Sequence, residues 1–334
     1  MDETTTILVE TRGNVGIITL NRPDILNAVN LVMLNEIAYQ VETWEYDDNI
    51  RAIIIKGSDK AFAAGIDIKE MSQEVSQQSL ALNAWYNEFS RIENCSKPII
   101  AAVAGYALGL GCELALVSDI VLAADNARFG HPEISLGILP GFGACSRLTH
   151  TIGKAKTMEV ILTGKALSAE EAMLSGLISR VVALPDLEEE ALRVAMRIAS
   201  LPYQAVLQAK ETIKEVNEMS LQNGIELEAK SCKLSMNTAE FRDSLQKFRR
   251  SLSAFNIGYY LRMTFGREIT PLGLFTRLCI MNHLEAFFRQ ESTKTEYPYH
   301  SSFNDATGNL CQIGRMLYRL SNYSHPFITV RAIG

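Results

Sequence analysis

The chain has 334 residues, 47% of them hydrophobic and 21% charged, with a formal net charge of -6. That length can bury a large core as one big domain or two small ones. The acidic balance supplies no basic face for nucleic acid, and no apolar run reaches the roughly 18 residues of a membrane span. Six cysteines stand apart without a Cys-x-x-Cys pair, which predicts reduced thiols and no metal site. The opening "MDETTTILVE" has neither a basic n-region nor an apolar h-region. The expectation is a cytoplasmic protein, with a mitochondrial one requiring a leader ahead of this sequence.

Along the first half, short β-rich runs alternate with helical patterns. "VGIITL" (15–20) reads as a strand. Residues 31–47 read as an amphipathic helix, with Leu31, Leu34, Ile37, Ala38 and Val41 on one face. "RAIIIKG" (51–57), "PIIAAVAG" (98–105) and "DIVLAAD" (119–125) are continuous apolar strands, with a helix through about 77–94 between the first two. Such runs point to an α/β core with strands covered on both faces. After about residue 154 the pattern becomes helix upon helix. Ser168 and Glu171 form a capping box there, and Leu201-Pro202 breaks the next helical run. Composition shifts after Arg250. Residues 251–334 carry eight basic against five acidic side chains and 13 of the 24 Phe and Tyr residues. The predicted organisation is therefore a core at 1–195, helices at 196–250, and an appendage at 251–334 with one possible helix at 273–290.

The stretch "GYALGLGCELAL" (105–116) puts a lone carboxylate, Glu113, behind three glycines and inside an apolar run. A dinucleotide fingerprint is excluded, because its third glycine would fall at Leu114. Two readings stay open on the residues alone. In one, this is a plain strand-to-helix turn and Glu113 is an exposed first-turn residue favoured by the helix dipole. In the other, the free amide near Leu110 stabilises an oxyanion, the glycines admit a substrate carbonyl, and Glu113 moves a proton beside it. The second reading needs another donor, and Ile66, after Gly65 in "AFAAGIDIKE" (61–70), is the candidate. Adding water across a double bond also needs a second carboxylate. "FGHPEISLGILPGFG" (129–143) offers Glu133, which on its own would be an ordinary loop residue.

Those blocks, with "KPIIAAVAGYALGLGCELAL", "SDIVLAAD" and "RLTHTIG", resemble the enoyl-CoA hydratase/isomerase (crotonase) family over about residues 6–250, in order and spacing. Among its members the chain is most similar to the short-chain enoyl-CoA hydratases. The resemblance implies a ββα spiral core followed by a helical trimerisation region, assembled as a homotrimer or homohexamer. It implies an acyl-CoA thioester held by the amides of Ile66 and Leu110, with Glu113 and Glu133 as the catalytic pair. Gly141 would help orient the water through its amide, and Ile66, Asp67, Ile68 and Lys69 would grip the CoA. No metal or cofactor is implied, since CoA enters with the substrate. The implied reaction is syn hydration of 2-trans-enoyl-CoA to 3-hydroxyacyl-CoA in fatty-acid β-oxidation.

The chain departs from the family pattern in four places. Leu110 replaces the middle glycine of a GGG run, and Phe142 sets an aromatic ring beside the expected water position. "KFRRSLSAF" (247–255) only loosely matches the family's basic C-terminal segment, and the tail after about 255 has no counterpart. His131, two residues before Glu133, either touches the pocket, packs elsewhere or faces solvent. The alternatives are another acyl-CoA reaction of the same family (double-bond isomerisation or methylglutaconyl-type hydration) and a non-catalytic scaffold. Cys145 with His150 as a nucleophile pair lacks a third partner.

Overall fold

Apolar, β-branched runs become the strands of a larger sheet. The computed structural model describes residues 5–70 and 80–254, and the chain divides into two compact units, Met1–Lys247 and Phe248–Gly334. The second unit is described only as far as the end of a helix at Ala254. The predicted helix at 273–290 therefore lies outside the described residues, as does the start of the one predicted from about 77.

The strands of the first unit are, in chain order, β1 (Ile7–Arg12), β2 (Val15–Leu20), β3 (Ala52–Lys56), β4 (Ala61–Ala63), β5 (Ile99–Val103), β6 (Tyr106–Leu108), β7 (Ile120–Ala124), β8 (Arg128–Gly130), β9 (Leu167–Ser168) and β10 (Arg180–Val182). Six of them form a sheet in the order β1-β2-β3-β5-β7-β10, antiparallel only between β1 and β2. Alternate side chains enter two separate cores. Ile18, Ile53, Ile55, Ile99, Ala101 and Val103 face one, and Val15, Ile17, Ala52, Ile54, Ile100 and Ala102 the other. Burial on both faces is why these strands read as unbroken apolar runs.

The other four strands form a smaller sheet in the order β4-β6-β8-β9, with β4, β6 and β8 parallel. The chain climbs as a spiral. β3 leads into β4, β5 into β6 and β7 into β8, so each turn lays one strand in each sheet. Helices α1 (Leu31–Glu45), α2 (Leu80–Glu93) and α3 (Leu110–Leu116) connect successive strands. Asn30 caps α1 by accepting from the Met33 amide. At the other end of α1, the buried ammonium of Lys97 donates to the carbonyls of Trp44, Asp47 and Ile50, each at 2.6 Å. Three donors meet three acceptors, which is what lets a lysine be 1% exposed.

Helices α4 (Ala144–Thr163), α5 (Ala169–Leu174), α6 (Leu187–Ala199), α7 (Tyr203–Val216), α8 (Leu221–Met236) and α9 (Ala239–Ala254) follow. The Ser168–Glu171 capping box forms with both reciprocal bonds, and Pro202 stands immediately before α7. The expected succession of helices alone is interrupted, because β9 and β10 return to the two sheets. The position 195/196 falls inside α6, whose Leu187, Ala191 and Ala195 pack on the larger sheet. Lys210 on α7 donates to the Lys97 carbonyl at 2.8 Å and to Asp119 at 2.7 Å, tying that helix to the spiral.

Candidate active site

The site grows from the carboxyl ends of the three parallel strands of the smaller sheet. β4 ends into Gly65-Ile66, β6 into Gly109-Leu110, and β8 into His131-Pro132-Glu133. Adjacent parallel strands end side by side, so three segments distant in sequence converge.

The two backbone donors are placed by pairing and by sterics. Val29 pairs with Ile66 in parallel fashion: the Val29 amide donates to Gly65 O at 2.7 Å, and the Asp67 amide donates to Val29 O at 2.8 Å. That pairing turns the Ile66 N–H away from Val29. Leu110 is the first residue of α3, so its N–H has no intrahelical acceptor. Gly109 precedes it at φ 50° and ψ -126°, a conformation disfavoured for side chains. A Cβ on Gly109 would stand 2.8 Å from Glu133 Oε1 and 3.6 Å from the Gly65 Cα. The two turns therefore touch, and the Glu133 carboxylate lies against them.

Gly111 does different work from that expected. A Cβ on Gly111 would stand 2.1 Å from Ala63 O. Gly111 thus lets α3 press against β4, and its bare face is covered by protein backbone rather than open to a carbonyl. Leu110 is 1% exposed and part of the core, so its side chain turns inward while its amide remains at the helix start.

Glu113 sits on α3 and is 1% exposed, so the reading of it as an exposed first-turn residue does not hold. Its Oε1 accepts from the amides of Phe142 and Ala144, both at 2.9 Å. Burial pushes its carboxyl above the usual range and the adjacent Glu133 charge adds to that, while the Ala144 amide, His131 and the Phe142 amide oppose it. Glu133 follows Pro132 in a short 3-10 turn. Its side chain is mostly buried, and its Oε2 has no hydrogen-bond partner.

Gly141 lies exposed at the mouth of the loop that wraps Glu113, with the Tyr86 hydroxyl 3.3 Å from where its Cβ would be. The amides that reach Glu113 are those of Phe142 and Ala144, which sequence reasoning missed. No side-chain signal marks a backbone donor. The Phe142 ring packs on Tyr86 and Phe89, with centroids 4.8 and 5.4 Å away.

Asp67 is held by Arg22, whose guanidinium reaches Oδ2 at 3.0 Å, and its Oδ1 accepts from the Lys69 amide at 3.1 Å. Ile68 and Lys69 are exposed beside it, where helical backbone begins. Arg22 also donates to Ala28 O. The fully buried Asn27, at φ 55°, donates to the carbonyls of Ala61 and Phe62 on β4. Arg22 and Asn27 brace the first turn of the site, and a lone Arg and Asn gave no motif by which to find them. A cavity of about 650 Å³ lies elsewhere, lined by residues that include Ser118, Asp119, Arg147, His150 and Glu218. His150 faces that cavity, and neither glutamate lines it.

Residues 10–255 match the model of the family described as "Enoyl-CoA hydratase/isomerase". The chain belongs to the enoyl-CoA hydratase/isomerase family. It is similar to a probable enoyl-CoA hydratase of Rhizobium meliloti, 45% identical over 243 residues, covering 73% of this chain and 94% of that one. A probable mitochondrial enoyl-CoA hydratase of Dictyostelium discoideum is 43% identical over 243 residues, covering 73% and 87%. Among solved structures, an enoyl-CoA hydratase subunit I of Geobacillus kaustophilus superposes with a TM-score of 0.69 at 37% identity, covering 75% of this chain and 97% of its own. The spiral of paired strands is thus the crotonase-type α/β fold, and the chain is an enzyme of that family.

Proposed function

We propose that this enzyme is an enoyl-CoA hydratase that adds water syn across the double bond of a 2-trans-enoyl-CoA, giving 3-hydroxyacyl-CoA in fatty-acid β-oxidation. The observation that carries this reading is that a second carboxylate, Glu133, lies against the Gly65 and Gly109 turns and near enough to Glu113 for its charge to raise that carboxyl. A simple isomerisation needs one carboxylate to carry a proton from carbon to carbon. Hydration uses two, because one proton leaves water as another reaches the α-carbon.

In this mechanism the thioester carbonyl accepts the N–H groups of Ile66 and Leu110, which draws electron density from the β-carbon. Both backbone donors to Glu113 fall on Oε1, which leaves Oε2 to take a proton from the water attacking that carbon. Glu133, with Oε2 unpartnered, delivers the proton to the α-carbon. Gly141 lies at the mouth of the same loop, where its amide orients the water. Asp67, fixed by Arg22, with Ile66, Ile68 and Lys69 forms the edge that receives the CoA. CoA arrives with the substrate, and the reaction needs no metal or further cofactor.

Assembly as a homotrimer or homohexamer is part of the proposal. It is supported by the exposed Ile213, Leu221 and Leu234 on α7 and α8. Residence in the cytoplasm is likewise part of it, with a mitochondrial form the alternative that the Dictyostelium relative's name raises. Among the described residues no helix is long and apolar enough to cross a membrane.

The test is the loss of conjugated enoyl-thioester absorbance when purified protein meets crotonyl-CoA. Glu113→Gln and Glu133→Gln should each lower the rate by about a hundredfold to ten-thousandfold. Full activity in Glu133→Gln would reject the paired-carboxylate mechanism. A flat trace with crotonyl, longer and branched enoyl-CoAs would reject hydration itself.

A further inference from the structure

The mechanism above leaves His131 without a role. Its ring is 1% exposed, and neither Nδ1 nor Nε2 has a hydrogen-bond partner. An imidazole left bare in the interior is destabilising, because each unpaired polar group has given up its hydrogen bonds to water. The titratable groups around it are Glu133 on its own turn, with Oε1 at 3.6 Å from Nδ1, and Cys112 and Glu113 on α3. Glu133 Oε2 is buried and unpartnered too. Two unsatisfied groups of opposite charge preference thus stand almost in contact, behind the carboxylate that must give up a proton.

We propose that His131 is the positioning residue of Glu133, and that the two side chains form one buried pair that keeps a proton available to the α-carbon through neutral pH. The gap of 3.6 Å closes to a hydrogen bond with a small side-chain rotation, as catalytic contacts tighten when substrate binds. The shared proton rests either on the carboxyl beside a neutral imidazole or on Nδ1 beside a carboxylate. The pair is uncharged overall in both forms, the state a buried site tolerates best. Burial pulls the imidazole down, Cys112 and Glu133 push it up, and the balance lies upward.

The proton count closes. The one shared proton passes through the Glu133 carboxyl to the α-carbon, which leaves the pair a carboxylate beside a neutral imidazole. Glu113 keeps the proton removed from water until the next water carries it back to the pair.

The pair makes a prediction that packing alone does not. Without the imidazole the buried site loses one of the two groups that share the proton. His131→Gln keeps bulk and a polar end but does not titrate. It should move the basic limb of the kcat/KM profile down by about one pH unit or more, while activity near the acid end stays within about threefold. This arm rests on the hydratase reading.

A second arm does not. Nuclear magnetic resonance of the full chain with 15N-labelled histidine should show one imidazole titrating above the ordinary value of about 6.5, and Glu133→Gln should lower that midpoint by about one unit or more. Glu133→Gln identifies the resonance by its response, so the assignment survives if His131→Gln does not fold. An unmoved basic limb, including a uniform loss at every pH, would overturn the pairing, as would a histidine midpoint indifferent to Glu133→Gln. Absence of any hydration with normal histidine coupling would instead strike the proposed function and leave the pair standing.

Discussion

The two sheets among the described residues differ in strand length and in burial. The larger one is made of strands of three to six residues, its four central strands β2, β3, β5 and β7 are buried on both faces, and its support includes α6 packed across one face. The smaller one is made of strands of only two or three residues. Yet the larger sheet contributes nothing to the candidate site beyond support, while the segments that follow β4, β6 and β8 carry every group proposed to touch the reacting atoms. Stability and chemistry are drawn from different places. Extended apolar strands gain from burial, whereas a site needs the ends of strands, where backbone donors are not consumed by pairing.

The sharpest way to break this comparison is to disturb the smaller sheet. Gly111→Ala places a methyl 2.1 Å from Ala63 O, so α3 must move off β4 and carry the Leu110 amide and Glu113 with it. A shift of that kind should cost about a hundredfold in hydration rate and about 3 kcal/mol of stability by urea unfolding. Parent-like kinetics in this variant would mean that the contact does not hold the site.

The opposite variant attacks the larger sheet's surroundings. Lys97→Met leaves three carbonyls at the end of α1 without their donor. It should lose about 3 kcal/mol or more, with kcat per folded molecule unchanged. A fall in kcat there would show that the two regions are not separable.

Glu113 allows a smaller test, in which the site weakens the fold. Burial raises its carboxyl above the reference of 4.5, so between the unfolded and folded pKa values the folded state binds more protons. Stability therefore falls as pH rises through that window and stays lower above it. Glu113→Gln can still accept from the Phe142 and Ala144 amides but has no charge to bury. It should melt above the parent at about pH 8, with the difference closing as pH falls toward the carboxylate range. Equal melting temperatures across the range would remove burial as the cause.

The smallest effect belongs to the capping box. Ser168→Ala removes the acceptor for the Glu171 amide and should cost about 1 kcal/mol in urea unfolding, with hydration unaffected.

How far these features could be read in advance follows from their lengths. The strands at 15–20, 51–57, 98–105 and 119–125 were legible as apolar runs because both faces are buried. The helix at 31–45 was legible from its apolar stripe, and the Ser168–Glu171 cap from local chemistry. Three-residue strands such as Ala61–Ala63 and Arg128–Gly130 complete no period, so no pattern announces them. The same holds for the Phe142 and Ala144 amides and for Arg22 and Asn27, whose partners lie far away in the chain.

By itself the sequence determined the class of the molecule. Apolar runs bounded by glycine and proline specify covered strands, and Gly109-Leu110-Gly111 specifies a tight entry into a helix, because these depend on neighbours in the chain. It also supplied two carboxylates, without saying which would be buried. Only the tertiary structure decided that Gly111 faces Ala63, that Glu113 is wrapped by a loop about thirty residues on, and that His131 and Glu133 stand together unpaired. Those outcomes depend on side-by-side strand ends and on sub-ångström clearances. Such quantities exist only once the chain has closed on itself.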